Sequence, residues 1–223
     1  MTELNEKRLQ SFGRIKSKKL SPNQERLFAE FLPKVSVQSF SEIPEHKYLV
    51  VEIGFGCAEH LIHQAKSNPD NLYIGCEPFI NGSVKALAQI EQQDISNIRI
   101  YNGDARDLLG SFPEESIDKI YILQPDPWPK KRHYKRRLIN DDFLNFIAKK
   151  IKKSAIIRIS TDDYDYAKWI VRHFLNNPRF IWAACCKHDW QNQPNDHIET
   201  KYQKKALKAG RKAIFMHFIR EEK

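Results

Sequence analysis

From Tyr48 onward, short apolar runs alternate with helical patterns, and this rhythm restricts the fold more than any other feature of the sequence. Strands buried on both faces of a parallel sheet are continuously apolar, whereas half-exposed strands alternate with polar residues. Strands alternating with helices at this spacing predict an α/β fold built on a doubly wound parallel sheet. The runs that predict its seven strands are residues 48–53, 72–77, 97–101, 117–123, 155–160, 180–185 and 213–219.

The helical patterns fall between these runs. Ser21 and Pro22 have the form of a capping box with proline in the first turn, so they predict the start of a first helix, and Pro33 is expected to end it. Residues 1–20 have few apolar side chains and predict a basic, mobile arm, which leaves residues 21–223 as a single domain. The later helices are predicted at residues 58–66, 80–92, 143–151, 163–175 and 199–209.

The charge of the chain is concentrated in three places. The formal net charge is +9, from 37 basic and 28 acidic residues. Residues 130–137 and 201–212 each contain six basic residues and no acid, and residues 1–20 are also basic. The summed net charge of these three segments exceeds +9, so the rest of the chain has a net negative charge. This distribution indicates a polyanionic partner such as a nucleic acid.

The fourth strand leads directly into Gln124-Pro-Asp-Pro-Trp-Pro129, which is followed by the basic residues. In open α/β sheets, ligands bind beyond the carboxyl ends of such strands. Three prolines stiffen the segment and hold the carboxylate of Asp126 at the sheet edge. Trp128 either stacks on a base or packs against the sheet. A rigid acid, an aromatic ring and a phosphate-binding cluster favour chemistry on a nucleic-acid base. The alternative is a proline-rich loop with a solvated run of charge.

Acids also lie at the ends of the first two strands, at Glu52 and Glu77, and just after the third, at Asp104. Gly54 and Gly56 would let a ligand approach the backbone at the first strand-to-helix turn. A dinucleotide site would need a third glycine where Glu59 stands, so a nicotinamide cofactor is disfavoured. A positively charged nucleoside such as S-adenosylmethionine suits these acids better. The alternative is that each acid caps a helix or is solvated.

These motifs resemble those of the bacterial tRNA (guanine-N(7)-)-methyltransferases from about residue 48 to the C-terminus. The resemblance implies a Rossmann-like class I methyltransferase fold with an antiparallel last strand, S-adenosylmethionine as methyl donor, and a guanosine in the variable loop of tRNA as substrate. The motifs that carry it are Glu52-Ile-Gly-Phe-Gly56, Ile74-Gly-Cys-Glu77, Gly103-Asp-Ala105, Pro125-Asp-Pro-Trp-Pro-Lys-Lys-Arg-His133, Thr161-Asp162 and Thr200-Lys-Tyr202.

The resemblance also implies residue roles. Asp126 would be catalytic and would contact the cofactor together with Glu52, Gly54, Gly56, Glu77 and Asp104. The substrate guanosine would meet Lys130, Asp162, Thr200, Lys201, Tyr202 and Gln203. The RNA would meet Arg132, His133, Tyr134, Lys135, Arg136 and Arg137.

Three positions depart from the family pattern. Ala58 replaces a glycine, Gln124 changes the residue before the proline motif, and Gln203 replaces a glutamate. Gln203 can still form hydrogen bonds but carries no charge. Two other functions stay open: a methyltransferase acting on an exocyclic or protein amine, and a non-catalytic tRNA-binding protein.

The sequence contains no apolar run near the roughly 18 residues of a membrane helix, so no membrane partner is expected. Four unpaired cysteines favour a reducing, cytoplasmic location, and Cys185 and Cys186 are expected to pack at a strand end. A metal site at Cys57, His60 and His63 is disfavoured because no fourth ligand is evident. The oligomeric state is expected to be a monomer or a homodimer.

Overall fold

The computed structural model describes residue 15 and residues 19–221. Its centre is a seven-stranded sheet in the order β3-β2-β1-β4-β5-β7-β6. Strand β7 runs antiparallel to both of its neighbours, and the other paired strands are parallel. The predicted mostly parallel sheet with an antiparallel last strand is therefore confirmed. The strands are β1 (Leu49–Ile53), β2 (Leu72–Cys76), β3 (Ile98–Tyr101), β4 (Ile117–Leu123), β5 (Ile151–Thr161), β6 (Phe180–Trp182) and β7 (Ile214–Arg220).

The helices connect these strands. The N-terminal helical segment contains α1 (Pro22–Arg26), a π-helical turn (Leu27–Phe31) and α2 (Leu32–Val35), and 3-10 turns cover Phe40–Glu42 and Lys131–Arg136. The remaining helices are α3 (Glu59–Ser67), α4 (Ile80–Gln92), α5 (Ala105–Gly110), α6 (Asp141–Lys150), α7 (Tyr164–Leu175), α8 (His188–Gln191) and α9 (Lys201–Lys208).

Successive side chains of each central strand point to opposite faces of the sheet, and both faces are apolar. One face carries Val51 and Ile120 and packs against α5, α6 and α7. The other carries Val50 and Tyr121 and packs against the N-terminal helical segment, α3 and α4. The continuously apolar strand sequences follow from this burial on two sides.

Pro33 does not end the first helix, which corrects the prediction. The Ser21 capping box is present as predicted. The backbone N–H of Leu32 then bonds to the carbonyl of Leu27, five residues back, and the chain stays helical to Val35. A π turn of this kind changes the hydrogen-bond register next to the proline, which has no N–H to donate.

Other boundaries differ where local patterns are weak. Strand β5 begins at Ile151, which was predicted to be helical, and β6 ends at Trp182. Cys185 and Cys186 are exposed in a turn beyond it, so they are not strand-end packing residues. Their backbone N–H groups bond to the carboxylate of Asp189. The predicted arm at residues 1–20 lies almost entirely outside the described residues and stays a prediction.

Replacing Phe218 by alanine should lower the free energy of unfolding, because its side chain packs in the core at the antiparallel end of the sheet. Its fully buried ring stacks on Phe174 with centroids 3.7 Å apart. The loss should be about 3–5 kcal/mol, from lost burial and the cavity left behind. Urea unfolding would measure it, with Ile181→Ala as control. Ile181 is 47% exposed on the adjacent strand, so its loss should stay below about 0.5 kcal/mol. Equal losses would contradict this account of the core.

Candidate functional site

The turn after β1 brings the backbone into a conformation that suits a bound ligand. Gly54 and Gly56 have φ values of +75° and +58°, in the left-handed region that glycine adopts without strain. A Cβ added to Gly54 would meet no atom within 4 Å, so the turn is open on that side. Ala58 also has a positive φ, 66°. A glycine at this position, which the family resemblance implies, would adopt this angle at lower cost.

Tyr202 lies over this turn although it is 146 residues further along the chain. A Cβ added to Gly56 would come within 3.0 Å of the Tyr202 ring. Desolvation raises the pKa of the Tyr202 hydroxyl, and the charges of Cys57, Glu77 and Asp126 add to that increase. The structure thus brings the glycine turn, two strand-end acids and the start of α9 together.

Glu77, at the end of β2, is largely buried and holds the glycine turn in place. Its Oε2 atom accepts a hydrogen bond from the Gly56 N–H at 2.8 Å, and its Oε1 atom accepts one from the Phe79 N–H at 3.0 Å. Desolvation nevertheless raises the pKa of this carboxyl. Each carboxylate oxygen can accept a second hydrogen bond, so capacity for a ligand hydroxyl remains.

Glu52 is buried inside the protein rather than at the rim of the site. The residue is 2% exposed, and its Oε2 atom lies 2.7 Å from Nδ1 of His60. The His60 ring packs between Tyr121 and His197, with centroids 4.5 Å and 5.4 Å away. Glu52 therefore connects β1 to α3 and to the segment before α9. Sequence reasoning treated His60 only as a metal candidate and missed this pairing.

Asp104 caps α5, a helix that the sequence did not predict. Its Oδ1 atom accepts from the backbone N–H of Arg106, and the Arg106 guanidinium bonds to both carboxylate oxygens, at 2.9 and 2.6 Å. The capping alternative weighed for the strand-end acids is thus realised at Asp104. Its side chain supports the loop after β3, and its contact with a cofactor stays a prediction.

Asp126 differs from the other three strand-end acids. No described residue forms a hydrogen bond or ion pair with its carboxylate. The residue is exposed at the rim of the site, yet desolvation by the surrounding loop raises its pKa. Trp128, two residues later, has a φ of 44°, which is strained for an aromatic residue. A carboxylate without a partner on a strained loop is typical of a functional site.

Gln124 connects the ends of β4 and β5. Its Oε1 atom accepts from the backbone N–H of Asp162 at 3.2 Å, and its Nε2 atom donates to Ser160 Oγ at 3.5 Å. Asp162 in turn accepts from Arg211 Nε at 2.7 Å through one carboxylate oxygen. Sequence reasoning noted Gln124 as a departure but did not find this link, which fixes Asp162 relative to the Asp126 loop.

The Thr200–Gln203 segment starts α9 and contributes side chains to two environments. Thr200 caps the helix, Lys201 and Tyr202 are exposed, and Gln203 is buried. The Gln203 amide accepts from His197 Nε2 at 2.7 Å and donates to Gln193 Oε1 at 3.0 Å. Because both ends of the amide are bonded within the protein, Gln203 holds the segment in place instead of facing a substrate as predicted.

The basic residues after Asp126 form a 3-10 turn, Lys131–Arg136, and its geometry sorts them onto separate faces. In a 3-10 helix, residues three apart lie above one another. Arg132 and Lys135 are both exposed. His133 and Arg136 are half-buried and pack against Trp128, at 5.8 and 5.0 Å from its ring centroid.

Tyr134 and Arg137, the residue that follows the turn, point inward, whereas Lys131 is exposed. Tyr134 is half-buried, and Arg137 is 1% exposed. The predicted RNA contacts therefore separate into the exposed Arg132 and Lys135, the pair around Trp128, and the inward-facing Tyr134 and Arg137, of which only Arg137 is fully buried. Arg137 was predicted to contact the RNA, but its side chain is buried and cannot reach a phosphate. Lys130, which precedes the turn, is exposed.

Two further observations apply to the described residues as a whole. Among residues 15 and 19–221, no group of three or more histidines, cysteines, aspartates or glutamates could hold a metal ion. Within the same part of the chain, every helix is too short or too polar to cross a membrane.

Comparison with known proteins places this geometry in a family. A family model described as "Putative methyltransferase" matches residues 46–216. The tRNA (guanine-N(7)-)-methyltransferase of Hyphomonas neptunium is 41% identical over 206 residues, covering 89% of this chain and 94% of the relative. That of Caulobacter vibrioides is 41% identical over 217 residues and covers 95% of each chain.

Solved structures agree on the fold. The 16S rRNA methyltransferase KamB superposes with a TM-score of 0.56 at 12% identity, covering 92% of this chain and 95% of that one. An antibiotic-related methyltransferase gives a TM-score of 0.52 at 19% identity, covering 92% and 96%. The sheet order, the site at its carboxyl edge and the similarity along almost the whole chain show that the protein belongs to the tRNA (guanine-N(7)-)-methyltransferase family.

Proposed function

We propose that this chain methylates N(7) of a guanosine in the variable loop of tRNA, with S-adenosylmethionine as the methyl donor. The observation that carries the proposal is the position of Asp126. Its carboxylate has no partner among the described residues, its charge acts on Glu77 and Tyr202 next to the glycine turn, and the exposed cations of the Lys131–Arg136 turn follow it in the chain. Family membership supplies the reaction class and the kind of substrate.

The residues at the carboxyl edge fit a cationic nucleoside. The open side of Gly54 leaves room next to the backbone, and the oxygens of Glu77 can accept from ribose hydroxyls. The charges of Glu77 and Asp126 favour a cation. When bound, S-adenosylmethionine supplies a methyl group on a positively charged sulfonium. Glu52 supports this edge from below through His60, and Asp104 supports it by capping α5.

Guanine N(7) carries a lone pair in the ring plane and needs no general base. Positioning and exclusion of water can therefore supply most of the acceleration. We assign Asp126 and the Asp162 oxygen that does not accept from Arg211 to orient the amino and ring N–H groups of guanine. Their negative charge would also stabilise the positive charge that develops on the base. Tyr202, with Thr200 and Lys201, would close the site over the turn after β1.

The exposed cations would bind the tRNA backbone. Lys130, Lys131, Arg132 and Lys135 are all exposed next to Asp126. Such side chains bind phosphates and fix the orientation of the RNA without reading its sequence. An amine substrate is not favoured because the relatives named above are tRNA (guanine-N(7)-)-methyltransferases.

The decisive assay is methyl transfer to unmodified tRNA. The full chain, incubated with labelled S-adenosylmethionine and a tRNA transcript, should label a guanosine in the variable loop. Reduction followed by aniline cleavage locates 7-methylguanosine because the modified base is lost and the chain breaks there. Label on another atom or in another loop would refute the proposal.

Replacing Asp126 by asparagine should lower turnover by about 100-fold, because the charge that orients and stabilises the guanine is lost. The affinity for tRNA should hardly change, since Asp126 is not among the cations that bind phosphate. Single-turnover methylation and a filter-binding assay would measure the two effects. Asp142→Asn, at an exposed position in the first turn of α6, is the matched control. A rate for Asp126→Asn equal to that of the control would remove Asp126 from catalysis.

Affinity for the donor should depend on pH in a definite direction. Desolvation raises the pKa of Glu77 and of Asp126. A cationic donor favours the ionised carboxylates, so binding should lower both pKa values and release protons. The affinity should therefore fall as the pH decreases, starting above the pH at which an ordinary carboxyl with a pKa of about 4 is protonated. Calorimetry in buffers of different ionisation enthalpy would detect the protons. An affinity independent of pH would show that these carboxylates do not face the donor.

A further inference from the structure

Arg137 belongs to the run of basic residues after Asp126, but its surroundings are those of a core residue. Its side chain is 1% exposed and is among the largest fully buried side chains of the described chain. The guanidinium carbon lies 3.7 Å from the ring centroid of Tyr134, 4.9 Å from that of Trp169 and 5.0 Å from that of Tyr166. A cation enclosed by three aromatic rings is out of reach of an RNA phosphate.

The hydrogen bonds of Arg137 connect the Asp126 loop to α7. Its Nε atom donates to the carbonyl of Pro127 at 2.8 Å, and its Nη2 atom donates to Asp165 Oδ2 at 2.7 Å. The Tyr134 hydroxyl donates to the same oxygen of Asp165 at 3.0 Å. These two bonds hold the pKa of the Asp165 carboxyl below its usual range. One guanidinium thus fixes the residue next to Asp126 relative to a helix packed on the sheet.

Burial of an arginine is costly unless its charge is paired and its donors are bonded. Here the ion pair, the carbonyl and the aromatic rings all depend on the planar fork of the guanidinium. A lysine has one charged nitrogen, so it could not reach both acceptors with the same geometry. The buried and paired Arg137 therefore lies directly behind the loop that carries the proposed catalytic acid.

We infer that Arg137 is a positioning residue for Asp126 and not a contact for RNA, an inference that rests on the proposed function. The guanidinium holds the Pro127 carbonyl, and this holds the Asp126 carboxylate at the distance that methyl transfer requires. Misplacement of a reacting group by about 1 Å can lower a rate by about 100-fold. Loss of Arg137 should therefore change turnover and leave tRNA affinity unchanged.

Arg137→Lys keeps the positive charge, so it separates the two roles. We expect kcat to fall by about 10- to 100-fold. The tRNA Kd and its salt dependence should match the wild type. The control is Lys135→Ala, at an exposed position on the outward face of the same turn. It should raise the tRNA Kd and reduce the slope of log Kd against log salt by about 0.7–0.9.

Chemical rescue distinguishes positioning from general destabilisation. In Arg137→Ala, millimolar guanidinium chloride should raise kcat by occupying the vacated space between Pro127 and Asp165, whereas sodium chloride should not. If neither Arg137 variant folds, Asp165→Asn decides, because it removes the exposed partner of the ion pair. A fall in its kcat with unchanged tRNA affinity supports the inference, and a wild-type kcat overturns it.

A salt slope reduced in Arg137→Ala as in Lys135→Ala, with the kcat of Arg137→Lys intact, would make Arg137 a phosphate contact and overturn the inference. The wild-type rate reports on the proposed function, and the contrast between variants reports on Arg137, so the two failures are distinguishable. Even without turnover, equal salt slopes for Arg137→Ala and Lys135→Ala would reject the positioning role.

Discussion

Parallel pairing of β1, β4 and β5 is the constraint on which the site depends. Ile53 lies beside Ile122, and Leu123 lies beside Ser160, so these strands end at one edge of the sheet. The ends of β1 and β5, which are more than 100 positions apart in the chain, thereby lie at the same edge of the sheet. The burial of both sheet faces fixes this register, because a shift by one residue would turn apolar side chains away from their core.

The sequence was informative wherever burial leaves a strong pattern. The runs that became β1, β2 and β4 are mostly apolar, with Glu52 in β1 and Asp118 and Lys119 in β4 as charged exceptions, and their predicted ends lie within one residue of the observed ones. Prediction failed where elements are short or depend on tertiary contacts. Helix α5 has six residues and too little periodicity to detect. Strand β5 begins at Ile151 because that residue pairs with Ile117, which local propensity does not reveal.

The candidate site shows the same division at the level of side chains. The segments that carry its motifs meet at the carboxyl edge of the sheet, and their roles there stay predictions. The partner of each acid was not predictable, because Glu52 bonds to His60 across β1 and α3, and Asp162 bonds to Arg211 near the start of β7. Such partners are chosen by packing in three dimensions. A motif read along the chain gives the type of residue but not the direction of its side chain.

The three-residue repeat of the Lys131–Arg136 turn has a consequence for divergence among relatives of this enzyme. Positions 132 and 135 are exposed, so substitutions there can follow the shape of different RNAs without disturbing the interior. Position 137 is constrained by three aromatic rings and two acceptors at once. Transplanting the whole basic segment between homologues would therefore exchange an internal support together with an RNA-facing surface, unless the aromatic residues around it are moved as well.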